Sequence, residues 1–337
     1  MPLSMDAFND DGFSVVHLTE SVNRVPTVPG VISGMNLFQP RRVRSHKVAV
    51  ESKQGKLVIV QTSERGAPRN RRDNDKRKIV DLRTRRIDEA SRITADEVSG
   101  IRAFGSETEL KSLQTEVVDR QQMVVQDLQA TRERLYLGAI NGLLVDADDS
   151  TIYDFYDVFG FVRPSEIDFD WANRTGVREF IQANVTRPML RALGGIAPAG
   201  ARIIALCGDD FFDGLTRNTE YRERYKNNEN ASELFENHAF SAIEAFGVTW
   251  VNYRGTDDNS TVAIAPDKAR FFMMGVPGLF IEAFAPPPTF GLVNTLGQEW
   301  YSRIIRDDKR DEWADVEVES HRVPICTRPE SLLQGNG

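Results

Sequence analysis

Two acidic clusters are the densest candidates for chemistry in this sequence. Asp146-Ala147-Asp148-Asp149 gathers carboxylates that a hard cation could accept as oxygen donors. It lacks the glycine and the distal bidentate Glu of a calcium loop, and Asp favours turns by bonding its own backbone, so it reads as a turn. Cys207-Gly208-Asp209-Asp210-Phe211-Phe212-Asp213 follows a candidate strand, where carboxylates complement the positive end of a helix. A metal-dependent enzyme built on Asp146, Asp148, Asp209 and Asp213 needs those four to converge in space. His17, His46, His238 and His321 have no ligand spacing. No GxxxxGK[ST], no GxGxxG after a strand and no GxSxG is present, so neither a phosphate cradle nor a nucleophile elbow has support. The two cysteines, Cys207 and Cys326, exclude a disulfide framework and a four-cysteine zinc site, and read as buried thiols. No catalytic, cofactor-binding or metal-binding residue is assigned, and an enzyme is not expected.

The strongest electrostatic feature is the run Arg69, Arg71, Arg72, Lys76, Arg77, Lys78, Arg83, Arg85 and Arg86. Between Arg41 and Arg102 there are 18 Lys/Arg against 9 Asp/Glu, whereas the rest of the chain has 24 against 41. A basic segment therefore sits on an acidic body, within a net charge of −8. Phosphate binding needs such density. Yet no aromatic residue lies between residues 39 and 103 to stack on bases, and the acidic whole repels nucleic acid at long range. Docking on the acidic surface of another copy is the preferred reading; a solvated loop and a nucleic-acid-binding loop are the alternatives.

These residues need elements to hold them. In residues 1–45, Pro26, Pro29, Gly30, Gly34 and Pro40 break up short apolar groups, which predicts an extended arm with one turn of helix. An arm without its own core must lie on its own body or on a neighbour. From His46 to Thr62 a hairpin is expected: Val48 and Val50 alternate with polar residues, and Lys53-Gln54-Gly55 turns the chain into Leu57–Val60. A basic tip over 63–78 and a third strand at 79–82 complete a long excursion.

Ser106-Glu107-Thr108-Glu109 fits a capping box, and no Gly or Pro interrupts Glu107–Leu137. Leu110, Leu113, Val117, Val124 and Leu128 form one apolar stripe, so a beam-like helix ending at Gly138 and Gly142 is expected. A hairpin over 143–155 follows. The stretch 166–265 reads as an α+β domain with helices at 174–193, 209–226 and 231–246 and strands at 202–206 and 248–251. Strands are expected from Ala269 onward. No window is long and apolar enough for a transmembrane helix, and the first residues do not read as a secretory signal.

Five segments, in order, resemble the lambda-type major capsid proteins of tailed bacteriophages, the capsid protein E family. They are Ala95-Asp96-Glu97-Val98-Ser99-Gly100-Ile101-Arg102-Ala103-Phe104-Gly105, Leu144-Val145-Asp146-Ala147-Asp148 with Tyr153-Asp154-Phe155, the Cys207–Asp213 segment, Val293-Asn294-Thr295-Leu296-Gly297, and Pro324-Ile325-Cys326-Thr327-Arg328-Pro329. The first forty-five residues match only loosely. The resemblance implies an α+β, Hong Kong 97-type capsid fold. It divides the chain into an N-terminal arm (1–45), an extended loop (46–93), a spine helix and peripheral domain (94–165), an axial domain (166–268), and further axial strands returning to the peripheral domain (269–337). It implies a virion protein, assembled in the host cytoplasm, that forms hexamers and pentamers of an icosahedral head around double-stranded DNA. Scaffolding, portal and decoration proteins are the implied partners, with no membrane and no cofactor. The basic residues Arg69 to Arg86 become inter-subunit contact candidates.

Overall fold

The computed structural model describes residues 13–24, 30–53, 77–100, 109–226, 242–254, 262–307, 309–310 and 312–337. The described residues begin with helices α1 (Val15–Val22) and α2 (Val31–Gly34), then strands β1 (Gln39–Arg42), β2 (Lys47–Lys53), β3 (Arg77–Arg83) and β4 (Arg85–Thr94). Helix α3 (Ala95–Gly100) and the long α4 (Glu109–Asn141) precede the hairpin β5 (Leu143–Val145) and β6 (Thr151–Asp154). Next come α5 (Phe155–Phe159), β7 (Ile167–Asp168), α6 (Val177–Ile181), α7 (Arg187–Ala192), β8 (Arg202–Cys207), α8 (Asp209–Arg217), α9 (Thr219–Lys226), β9 (Ala242–Ala245) and β10 (Val248–Asn252). The last strands are β11 (Lys268–Met274), β12 (Phe280–Ala285), β13 (Tyr301–Arg306), β14 (Trp313–Cys326) and β15 (Leu333–Asn336).

Two sheets organise these elements. One runs β1-β12-β14-β13, with β4 also bonded to β14; the other runs β7-β15-β11-β8-β10-β9. Helix α4, about 50 Å long at roughly 1.5 Å per residue, lies against the first sheet. Its Val124, Val125 and Leu128 pack with Trp300 and Val318, and Val117 packs with Ile93 and Val316. The apolar stripe read from sequence is the buried face at these positions. In the second sheet, alternating side chains of β8, β10 and β11 meet α8 and the segment after β7. Phe169 stacks on Phe271 at 5.5 Å, Phe211 and Trp250 meet it edge-on, and Trp171 lies tilted at 5.0 Å. Fully burying each such ring stabilises the fold by about 1.5–3 kcal/mol.

The boundaries differ from the sequence expectation where long-range contacts override local signals. Helix α4 continues through Gly138, because that glycine lets the helix approach β5: a Cβ there would stand 3.0 Å from the Leu143 carbonyl oxygen. Gly142, at φ +72°, is the true stop. The expected helix over 209–226 is broken at Asn218, whose amide donates to the Trp171 and Arg174 carbonyls while its oxygen caps Glu220 N. The expected helix near 231–246 is corrected at its end. Ala242–Ala245 is a strand, turned back onto β10 by Phe246 and Gly247, both at positive φ, as a tight hairpin requires. Strand β2 pairs with β3, from Lys47↔Arg83 to Lys53↔Arg77; its expected partner Leu57–Val60 lies outside the described residues, as do the basic tip up to Lys76 and the capping box up to Thr108. Among its described residues the arm holds two short helices, and both dock on the chain's own body.

Candidate functional site

Three places tie the basic segment and the arm to the body. The first is the root of the β2–β3 ribbon. Val48, Val50 and Leu82 are buried in the main core, so one face of the ribbon is anchored. The Tyr153 hydroxyl of β6 accepts from Arg83 N at 2.9 Å and donates to Arg83 O at 3.1 Å, closing the ribbon onto the β5–β6 hairpin. The Arg85 guanidinium lies 5.8 Å over the same ring, a cation–π contact. Arg86 pairs with Asp88 at 3.0 Å. Thus the structure brings Arg83, Arg85 and Arg86 together at the root. Arg77 and Lys78 open β3 opposite Lys53 and Ser52. Arg69, Arg71, Arg72 and Lys76 lie outside the described residues.

The second place is the seam where β4 lies antiparallel on β14, from Arg85↔Arg322 to Thr94↔Trp313. Here Arg92 forks onto Asp315 at 2.8 and 2.9 Å and stacks 4.1 Å over Trp313. Further along, the His321 ring meets the Glu319 carboxylate at 3.2 Å and holds it below the usual carboxylate range. Glu89, across the seam, shifts the other way: burial and the neighbouring Asp127 push it up. Beneath the seam, Arg322 is fully buried. It donates to Glu282 at 3.0 Å, to the Ser320 hydroxyl at 2.8 Å and to the Glu299 carbonyl at 3.0 Å, and it stacks 4.3 Å from Trp300. Arg132 and Tyr136 of α4 reach the other oxygen of Glu282, so one carboxylate joins α4, β12 and β14.

The third place holds the arm. Glu133, buried on α4, accepts from Ile32 N at 2.7 Å, Ser33 N at 3.1 Å and Ser33 Oγ at 2.7 Å. The Tyr253 hydroxyl donates to it at 3.4 Å, and burial together with this carboxylate pushes Tyr253 well above the usual phenol range. Helix α2 has no side-chain cap of its own, so Glu133 supplies its N-terminal acceptor from across the molecule. Nearer the N-terminus, α1 is capped by Ser14 and lies on β13 and α4, where Gln121 donates to the Ser302 hydroxyl at 2.8 Å.

The acidic clusters do not meet. Asp146 and Asp148 accept from Ala147 N and Ser150 N in the turn between β5 and β6. Asp209 faces Asn252, and Asp213 pairs with Arg217. Among the described residues no group of three or more His, Cys, Asp or Glu side chains is placed to hold a metal ion. His17 and His46 are exposed and His238 lies outside the described residues. Cys207 and Cys326 are free and buried, with burial pushing both thiols up. No described helix is long and apolar enough to cross a membrane. Sequence reasoning found the basic run but missed Glu133, Glu282 and Arg322. A charged residue destined for the interior has no local signature; the only hint is the apolar company of Arg322 in Val323-Pro324-Ile325.

The arrangement is one of ties between elements rather than of reacting groups, and the comparisons agree with it. The phage major capsid protein E family matches residues 14–336. The chain is 25% identical to the major capsid protein of Salmonella phage Felix O1, over 95% of both chains. It is 24% identical to that of Pseudomonas phage KPP10, over 96% of this chain and 97% of that one. In structure it resembles the protein assigned as the capsid protein of an E. coli CFT073 prophage, with a TM-score of 0.60 at 13% identity, covering 96% of this chain and 98% of that one. The fold is the Hong Kong 97-type capsid fold, α+β in class. A fold of two-stranded ribbon, beam helix and two sheets, matched over nearly its whole length by these proteins, leaves one conclusion: the chain belongs to the phage major capsid protein E family, a structural subunit of the virion's icosahedral capsid.

Proposed function

We propose that copies of this chain form hexamers and pentamers that tile an icosahedral head around double-stranded DNA, without sequence-specific binding and without enzymatic activity. The division into arm (1–45), extended loop (46–93), spine helix with peripheral domain (94–165), axial domain (166–268) and returning strands (269–337) serves that end. The observation that carries the reading is the charge division within one chain: the ribbon region has twice as many basic as acidic residues, and the remainder has an acidic excess. Opposite charge steers association between copies and suppresses wrong registers. Arg69, Arg71, Arg72, Lys76, Arg77, Lys78, Arg83, Arg85 and Arg86 are assigned to this contact. Scaffolding, portal and decoration proteins are further partners.

Negative-stain electron microscopy beside a sizing column tests the reading. Closed shells, tubes or hexameric rings are expected; a monomer that persists at high concentration and with scaffold overturns it. Arg71→Glu combined with Arg72→Glu should weaken assembly while leaving the subunit folded. Normal shells from that double variant refute the loop contact.

A further inference from the structure

The segment between β12 and β13 carries the most exposed large apolar side chain of the described residues. Phe290 is 105% exposed, and Val293 and Leu296 beside it are about half exposed, at 51% and 50%. Between Glu282 and Glu299 no residue carries a charge, although charged residues make up 27% of the chain. This is also the segment whose Val293–Gly297 motif the sequence singled out.

The segment is built, not loose. Pro286-Pro287-Pro288 stiffens its entry, with Pro287 buried. The Thr289 carbonyl accepts from Leu292 N and Val293 N at 3.0 Å each, and the Leu292 carbonyl accepts from Thr295 Oγ1 at 2.7 Å. Asn294 takes φ +64°, a left-handed turn that Asn tolerates. The exit is fixed by Gly297, whose amide donates to Val43 O at 3.0 Å and whose missing side chain makes room for the Phe284 carbonyl. The result is a short, internally bonded knob with an apolar tip.

We infer that this knob is an interaction surface that buries Phe290, Val293 and Leu296 against a second copy of the chain. The inference rests on the assembly reading above and adds a contact that the basic loop does not supply. A second copy is the occupant because the subunit builds a shell from copies of itself, and an uncharged patch offers neither phosphate nor anionic lipid a partner. A stiff aromatic side chain exposed on an internally bonded segment is a usual form of interface anchor, since little conformational freedom is lost when it is buried.

The test compares Phe290→Asp with wild type and with Val162→Asp, the next most exposed large apolar site among the described residues (89%), after α5. Light scattering reads the protein concentration at which shells form, and thermal unfolding of the free subunit confirms that each variant folds. The expected result is a rise of about tenfold or more in that concentration for Phe290→Asp, the factor that roughly 1.4 kcal/mol represents, with Val162→Asp close to wild type. Phe290→Cys gives an independent readout, because Cys207 and Cys326 are both buried. Maleimide should label it in the free subunit and be excluded in the shell. Shells from Phe290→Asp at the wild-type concentration, with Phe290→Cys labelled equally in both states, overturn the inference while leaving assembly intact and point to a different protein on the outside. A wild-type chain that never assembles overturns the assembly reading itself, and this contact with it.

Discussion

Glu133→Ala removes a carboxylate on which the donors of Ile32, Ser33 and Tyr253 converge. Hydrogen bonds to a charged group contribute about 1.5–3 kcal/mol each, and an orphaned buried donor costs about 1–3 kcal/mol. The Ile32 amide is buried and has no second acceptor within α2, because the first turn of a helix leaves its N–H groups unpaired. The Ser33 donors are partly buried and recover some bonding to water. The expected loss is therefore about 3–5 kcal/mol, a large part of the roughly 5–15 kcal/mol that holds a domain together. Glu133→Gln keeps the shape but sets an amide NH2 against donors on one side, so about half that loss is expected. Urea unfolding of the free subunit gives the stability change, and hydrogen exchange at the Ile32 and Ser33 amides localises it. If Glu133→Ala unfolds within about 0.5 kcal/mol of wild type, or those two amides exchange at the wild-type rate, the arm is not held by this carboxylate.

Two further perturbations probe the seam. Arg322→Met leaves Glu282 with only the α4 partners and should lower stability by about 3–5 kcal/mol in urea unfolding, with Arg322→Lys recovering only part because an ammonium lacks the three-way fork; a neutral Arg322→Met contradicts the network. Glu319, held below the ordinary carboxylate value chiefly by its bond to His321, contributes stability that is present above the unfolded carboxylate value and is lost as pH falls through the lower folded value. Unfolding midpoints measured from about pH 6 down to pH 3 should therefore fall, and Glu319→Gln should flatten the part below about 4.5; superimposable profiles refute the assignment.

Much of the helical frame was legible because its signals are local. The uninterrupted run into α4, with Val117, Val124 and Leu128 on one side, specifies a beam without reference to its partners. The β5–β6 hairpin and strands β8 and β10 follow from short apolar runs bounded by turn residues. What failed was non-local. Gly138 looks like a stop, and only the proximity of β5 shows that it is a point of close approach. Strand β4 carries Ile87 and Ile93 among charged residues, so its pairing with β14 has no strong alternating pattern to announce it. The basic run was visible as composition, but its division between a ribbon root at Arg83, Arg85 and Arg86 and the segment before it depends on where Tyr153 and Asp88 stand. Glu133 and Arg322 look like ordinary surface residues until the fold buries them.

The order in which the ribosome delivers these pieces gives the first sheet a schedule. Strands β1 and β4 emerge early, yet their partners are β12, at residues 280–285, and β14, at residues 313–326. Contacts separated by more than two hundred residues cannot form until the later strand has left the tunnel, and pairings of such span are slow. The pairing of β8 with β10 spans a far shorter stretch of chain, so it does not wait for the last strands. A nascent chain therefore carries β1 and β4 without the strands that pair with them, although α2 and the ribbon root already have Glu133 and Tyr153 to lie on. The first sheet is therefore complete only once β14 has been made, late in synthesis.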